Sequence, residues 1–242
     1  MTQRIRTAMV LAAGRGTRMR HLSKTRPKPL TVLAGRTLLD RVLDHLEADG
    51  VDRIVVNTHY MGEMITEHLS RRSGIILSPE VDLLETGGGV RHALPHLGDD
   101  PFYVINSDAV WGNGPTPALR RLAAAWRDET MDALLLLQRM VAVAGTSGRG
   151  DFFLDPLGRV RRRDSREIAA FLFAGVQILH PRLFAGSPEG AFSLNRLYDA
   201  AAATNRLHGI VHDGEWYHVG TPEQLLQAEF DLALGDALVN SR

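Results

Sequence analysis

Leu11 to Leu30, LAAGRGTRMRHLSKTRPKPL, is the stretch from which the rest of the chain is read. It follows Thr7 to Val10, a short apolar run that predicts a buried first strand, so Gly14 and Gly16 stand at the strand's carboxyl end. In an open α/β sheet that edge is where ligands bind. Glycines there let main-chain N–H groups approach phosphate oxygens, while Arg18 and Lys28 bring two fixed positive charges to the same place. A glycine pair by itself is equally an ordinary turn. Neither the Walker spacing nor the dinucleotide fingerprint occurs here, so any phosphate loop is of another kind.

Composition narrows the partner. The 242 residues carry 28 basic and 28 acidic side chains, a balance that argues against nucleic acid or an anionic membrane held by bulk charge and favours small ligands. With no cysteine, disulfides, thiolate catalysis and cysteine zinc sites are excluded. Arg4, Arg6 and the apolar Ala8 to Ala13 superficially resemble a signal peptide, but the apolar run is short and meets Arg15, Arg18 and Arg20. The expectation is a cytoplasmic protein, and no segment is long enough to span a bilayer.

Outward from the opening loop, strand and helix patterns alternate. Leu30 to Leu33 predicts a short strand. Thr37 to Asp40 starts a helix whose apolar positions Leu39, Val42, Leu43 and Leu46 share a face and which Gly50 stops. Strands follow at Val51 to Thr58 and Gly74 to Leu77, with a helix over Met61 to Leu69 between them. Ser78 to Gly89, SPEVDLLETGGG, leads into a helix over Val90 to Leu97, and its three glycines offer bare backbone against which a flat base can lie. Phe102 to Asn106 is a fourth strand, Pro115 to Arg127 a helix, and Asp132 to Gln138 another strand. The fold class is α/β, a doubly wound and mostly parallel central sheet. Beyond it, Ala142 to Asp151 is small and glycine-rich, and Phe152 to Arg161 predicts a hairpin turning at Asp155 to Gly158. Leu183–Phe184 and Leu194 to Ala203 are helical, and a final helix runs over Glu223 to Leu234 with Thr221, Pro222 and Gln224 as its capping group. His180, His208 and His212 stand singly and suggest surface or capping positions.

The motifs LAAGRGTRM, PKPL, LETGGG and FAGVQILHP occur in the order found in the sugar-1-phosphate nucleotidyltransferases, and the chain resembles that family from Ala8 to Leu234. The resemblance is strongest to its short N-acetylmuramate-1-phosphate uridylyltransferases, which serve peptidoglycan recycling. It implies a Rossmann-like glycosyltransferase-A-type sheet with a small acceptor-side insertion, in one domain spanning 1–242. Roughly 1–110 would be the nucleotide half and 111–242 the sugar-phosphate half. It implies that Leu11, Ala12, Ala13, Gly14, Gly16, Thr17, Arg18 and Lys28 bind the triphosphate, with Arg18, Lys28 and Asp108 catalytic. Glu80, Glu85, Thr86, Gly87 and Gly88 are the candidates to read the base, Asn106 and Gly175 to meet the sugar, and Asp108, closing Asn106-Ser107-Asp108, to hold Mg²⁺. The family's acceptor-side Glu-Lys pair is not recognisable, which makes Arg162, within Arg161-Arg162-Arg163, the candidate for the sugar phosphate unless the triplet is only a solvated strand end.

One position departs from the pattern. Glu215 to Pro222, EWYHVGTP, resembles W-x-D-x-G-T-P with His218 where the second metal-binding Asp stands. His218 as a ligand would lower the site's negative charge and favour Mn²⁺; contact with nucleotide phosphates, a metal leaning on Asp108 alone, and a structural role are the alternatives. Mannose-1-phosphate guanylyltransferase and glucose-1-phosphate thymidylyl- or uridylyltransferase are rival activities. A nucleotide-binding regulatory module with little turnover is the reading from a different class.

Overall fold

The computed structural model describes residues 4–143 and 148–240, with side chains described to residue 234. The predicted glycine-rich stretch Ala142 to Asp151 falls partly on residues 144–147, outside the described residues. In chain order the main elements are β1 (Thr7–Leu11), α1 (Leu38–Asp49), β2 (Arg53–Thr58), α2 (Gly62–Leu69), β3 (Ile75–Pro79), α3 (Glu85–Leu97), β4 (Phe102–Asn106) and α4 (Ala118–Ala125). They continue with β5 (Ala133–Arg139), β6 (Phe152–Leu154), β7 (Val160–Arg162), β8 (Phe171–Leu179), α5 (Asn195–Ala203), β9 (Leu207–Val211) and α6 (Pro222–Asn240).

These nine strands make one sheet in the described residues, and two small two-stranded ribbons, Val32–Leu33 with Arg36–Thr37 and Val110–Trp111 with Trp216–Tyr217, stand apart from it. β3, β2, β1 and β4 lie side by side and parallel, β8 returns antiparallel against β4, and β5 and β9 extend the far edge beyond β8. The β6–β7 hairpin joins the start of β8 through Phe171 and Phe152. Its turn is held by Asp155, whose Oδ1 accepts from the backbone N–H of Leu157 and Arg159 at 2.9 and 2.8 Å.

Alternate residues of the central strands face two separate cores. Ala8, Val10, Ile54, Val56 and Ile105 pack with α1, α2 and α4; Met9, Val55, Val104, Leu135 and Leu137 pack with α3 and α5. Burial on both faces explains why these strands read as continuous apolar runs. A third cluster matters most for function. Met19, Leu38, Val110, Val219 and Leu225 join the opening loop to the start of α6, although those segments lie some two hundred residues apart in sequence.

Several local signals act as read. Thr37 Oγ1 accepts from Asp40 N at 3.0 Å to cap α1, and Gly50 closes that helix at φ 74°. Thr221 Oγ1 accepts from Gln224 N at 3.3 Å, while Gln224 Oε1 reaches back to the N–H of Gly220 at 3.0 Å. α4 begins at Ala118 rather than Pro115, because Pro117 stands extended before it. β9 lay outside the expected elements: it is short, contains Gly209, and gains its ladder from β5, with one further bridge from His208 to Arg159. His212 is buried at 5% exposure, a correction to its expected surface place; its Nε2 lies 3.0 Å from the carbonyl of Glu215. His180 does cap, accepting from Arg182 N at 3.1 Å.

The glycine triplet is corrected as well. Gly87, Gly88 and Gly89 lie inside α3, which starts at Glu85 and not at Val90. A Cβ on Gly87 would stand 2.4 Å from the Phe192 ring, one on Gly88 2.3 Å from the carbonyl of Gly190, and one on Gly89 2.7 Å from Glu80 Oε1. The bare backbone of Gly87 and Gly88 is required by the loop before α5, and that of Gly89 by Glu80 and Asn57. Gly87→Ala should therefore lower stability by about 1–3 kcal/mol, the usual cost of overpacking, measured as a reduced urea midpoint with unchanged m-value.

Candidate active site

The carboxyl ends of β1 and β4 open onto a cavity of about 390 Å³. Leu11, Ala12, Ala13, Gly14, Gly16, Thr17, Arg18 and Lys28 all line it, as the sequence led us to expect, and so do Glu85, Thr86, Asn106 and Asp108. Pro29, Asn57, Leu83, Ser107 and Gly220 complete the lining and were not singled out from the sequence. Asn57 had left one signal, a polar residue closing an otherwise apolar strand beside the glycine loop.

Two features hold the loop in shape. Gly16 adopts φ 60°, and a Cβ there would come within 2.8 Å of Lys28 Cβ, so only glycine lets the loop backbone press against the Lys28 stem. Lys28 sits between Pro27 and Pro29 in a short turn closed by Thr31 N donating to Lys28 O at 3.0 Å. Its side chain is 10% exposed, and its ammonium donates to Asp108 Oδ2 across the cavity. Arg18 is exposed at the mouth.

His218 reaches this cavity edge through a small ribbon. Trp216–Tyr217 pairs antiparallel with Val110–Trp111, with Tyr217 opposite Val110, so the next residue comes alongside the end of the Asn106-Ser107-Asp108 segment. His218 Nε2 would be 3.0 Å from a Cβ on Gly220 and Arg18 Nη1 3.4 Å from the same point, which sets both side chains against that glycine. Partial burial first, then the charges of Arg18 and Lys28, push the imidazole pKa down, against the opposing pull of Asp108 and Asp151. The ring is therefore neutral near pH 7, with a lone pair free to ligate or to accept a hydrogen bond. Among the described residues no three His, Asp or Glu side chains gather to hold a metal ion.

Some expected site residues lie elsewhere. Glu80 is buried at 6% and does not line the cavity; Oε1 accepts from Asn57 Nδ2 at 2.6 Å and Oε2 from Leu84 N at 3.0 Å. Asn57 in turn accepts from Ala12 N at 2.7 Å. Gly87 and Gly88 back the wall from within α3, and their N–H groups donate to the carbonyl of Phe192 at 2.8 and 3.1 Å. Gly175, at φ 82°, abuts Asn106 and Ala109 just outside the lining. Arg162 does not line this cavity and is paired with Asp199 at 2.6 Å. Glu85 keeps a left-handed φ of 59° at the cavity wall, strain of a kind that collects at functional sites.

A phosphate-sized glycine loop, two cations and a carboxylate on the carboxyl edge of a parallel sheet define a nucleotidyltransferase, and the chain belongs to the MobA-like NTP transferase family, whose domain it matches over residues 8–209. It is 43% identical over 240 residues to the N-acetylmuramate alpha-1-phosphate uridylyltransferase of Caulobacter vibrioides, covering 96% of this chain and 99% of that protein. Its identity to the protein of the same name from Neisseria meningitidis serogroup B is 37% over 228 residues, covering 92% and 96% respectively. The fold superposes on HddC from Yersinia pseudotuberculosis with a TM-score of 0.75 at 22% identity, over 94% of this chain and 100% of that one. No helix among the described residues is long and apolar enough to cross a membrane.

The Ala12–Asn57–Glu80–Leu84 relay should support both stability and nucleotide binding. Glu80→Ala strands the Asn57 amide and the Leu84 N–H and should cost about 1–3 kcal/mol by denaturant unfolding, with weaker nucleotide binding by calorimetry. Glu80→Gln, which keeps an acceptor, should lose less on both counts.

Proposed function

We propose that this protein transfers a uridylyl group from UTP to N-acetylmuramate-1-phosphate, releasing pyrophosphate, as a step of peptidoglycan recycling. The observation that carries the reading is the Lys28–Asp108 pair facing the glycine loop across one cavity. Substrate choice is supported by the two near-full-length relatives that bear this activity in their names.

In this reaction an oxygen of the sugar phosphate attacks the α-phosphorus, the α–β bridging P–O bond breaks, and the electron pair leaves with pyrophosphate. The attacking oxygen is already ionised near neutral pH, so no side chain has to remove a proton from it. The task left to the protein is to bring two anions together in line and to stabilise the charge that moves. Backbone N–H groups of Gly14 to Thr17 cradle the triphosphate. Arg18 neutralises its outer phosphates and the departing pyrophosphate. Lys28 leaves Asp108 for the α-phosphate as the substrates arrive. Leu83, Glu85 and Thr86 flank the base, and Asn106 with Gly175 meets the sugar.

A divalent cation, Mg²⁺ or Mn²⁺, fits this donor set in one way. Asp108 and the neutral imidazole of His218 offer two protein ligands, and substrate phosphate oxygens and water would have to supply the others. When bound, such an ion neutralises phosphate charge as a Lewis acid.

Lys28→Ala and Asp108→Ala should each lower turnover by about a hundredfold or more, the scale of losing one preorganised electrostatic group; near-wild-type turnover in either folded variant would remove its assigned role. Pyrophosphate release should be confined to UTP when the five nucleotides UTP, GTP, dTTP, CTP and ATP are tried against N-acetylmuramate-, N-acetylglucosamine-, mannose- and glucose-1-phosphate. Turnover of GTP with mannose-1-phosphate would instead make it a guanylyltransferase. Nucleotide binding with no turnover would make it a regulatory module. In the same panel, a Mn²⁺ preference that reverts toward Mg²⁺ in His218→Asp would identify His218 as a ligand.

A further inference from the structure

A second cavity, of about 440 Å³, opens on β8, the strand that pairs with β4 beside the first. Phe173 of β8 lines it, and two residues further on Gly175 abuts Asn106 of the nucleotide cavity. Two residues of extended chain span about 7 Å, and the register of β8 against β5 shifts between Phe173 and Gln177, so the strand bends between the two openings. A hexose phosphate with its phosphate near Lys28 would thus present its far side here.

The floor is aromatic. Tyr198 stands edge-on to Phe152 and Phe173, with ring centroids at 6.2 and 6.3 Å, and its hydroxyl is turned inward to Gln177 Oε1 at 2.7 Å. What distinguishes the cavity is its cations. Arg162 is neutralised by Asp199 at 2.6 Å. Arg163 is different: Nε donates to the carbonyl of Gly150 at 2.6 Å and Nη1 to that of Asp164 at 3.0 Å, and no carboxylate lies within ion-pair distance among the described residues. Glu167, on the same segment, is taken by Arg161 at 2.7 Å. Among the described residues the Arg149 side chain likewise binds a carbonyl alone, that of Ser165 at 3.0 Å, and Ser165 lines the cavity. The one acidic side chain in the lining, Asp151, accepts from the backbone N–H of Phe173 at 3.0 Å. A half-buried guanidinium fixed by neutral carbonyls keeps its charge available for an incoming anion.

We infer that Arg163, assisted by Arg149, recognises a carboxylate carried on the sugar ring of the acceptor and so selects an acidic sugar phosphate over a neutral one. The inference rests on the acceptor reading given above, and names the residue that would impose it. Arg162, by contrast, serves to hold β7 to α5 through Asp199.

The test compares kcat/KM for N-acetylmuramate-1-phosphate, its methyl ester and N-acetylglucosamine-1-phosphate, all with UTP. In the wild type the free acid should exceed the ester by at least about tenfold, the worth of a charge-assisted contact. The ratio of acid to N-acetylglucosamine substrate should fall by at least about tenfold in Arg163→Gln, and by less in Arg149→Gln. A purely structural role would lower both substrates together and leave the ratio unchanged. Equal use of acid and ester by the wild type, or an unchanged ratio in a folded Arg163→Gln, would overturn the inference while leaving the uridylyltransferase reading intact. Should Arg163→Gln not fold, the acid–ester comparison on the wild type decides alone. Turnover of neutral sugar phosphates only, with acid and ester both refused, would overturn the acceptor reading and the inference together.

Discussion

The site depends on a buried relay of three hydrogen bonds. Ala12 N donates to Asn57, Asn57 donates to Glu80, and Glu80 accepts from Leu84 N, at 2.7, 2.6 and 3.0 Å. These contacts tie the glycine loop after β1 to the end of β2 and to the wall that leads into α3. Loops at the carboxyl edge of a sheet have few neighbours of their own, and without such a tie each would move separately. A carboxylate at 6% exposure is costly to bury, and the cost is offset only while both oxygens keep their donors. Gly89 belongs to the same arrangement, because a Cβ there would strike both Glu80 and Asn57. The glycines of α3 thus serve the cavity by letting its supports pack behind it.

Within that frame the charges are arranged for use. Lys28 and Asp108 satisfy each other across the cavity, so neither is left as an uncompensated, partly buried charge. Arg18 stands exposed at the mouth, and beside it partial burial and the charges of Arg18 and Lys28 hold His218 toward its neutral form. The third apolar cluster makes this arrangement possible by holding Met19 of the loop against Val219 and Leu225. His218 and Arg18, about two hundred positions apart, meet at Gly220 because that cluster is closed.

Much of this was legible in the sequence where local chemistry decides the outcome. The apolar runs of β1, β2, β4 and β5, the Thr37 cap, the Gly50 stop and the Thr221–Gln224 cap each follow from a few adjacent residues. The cavity lining from Leu11 to Lys28 was equally legible, because one contiguous motif supplies it. Elements whose reason lies in a distant partner were not. β9 is made a strand by β5, His212 is buried by the approach of the Glu215 segment, and Glu80 is drawn inward by Asn57.

By itself, then, the sequence determined the sheet's central strands, the glycine loop at their carboxyl edge, and the places of Arg18, Lys28 and Asp108 around it, since each is written in neighbouring residues with a fixed geometric consequence. Only the tertiary structure decided which glycines line the cavity and which pack against protein, that Glu80 braces and does not line, and that among the described residues Arg162 is neutralised while Arg163 is not. The physical reason is common to all three. Whether a polar or bare position is available to a ligand depends on which distant group has already satisfied or filled it, and only the packed fold brings that group to its place.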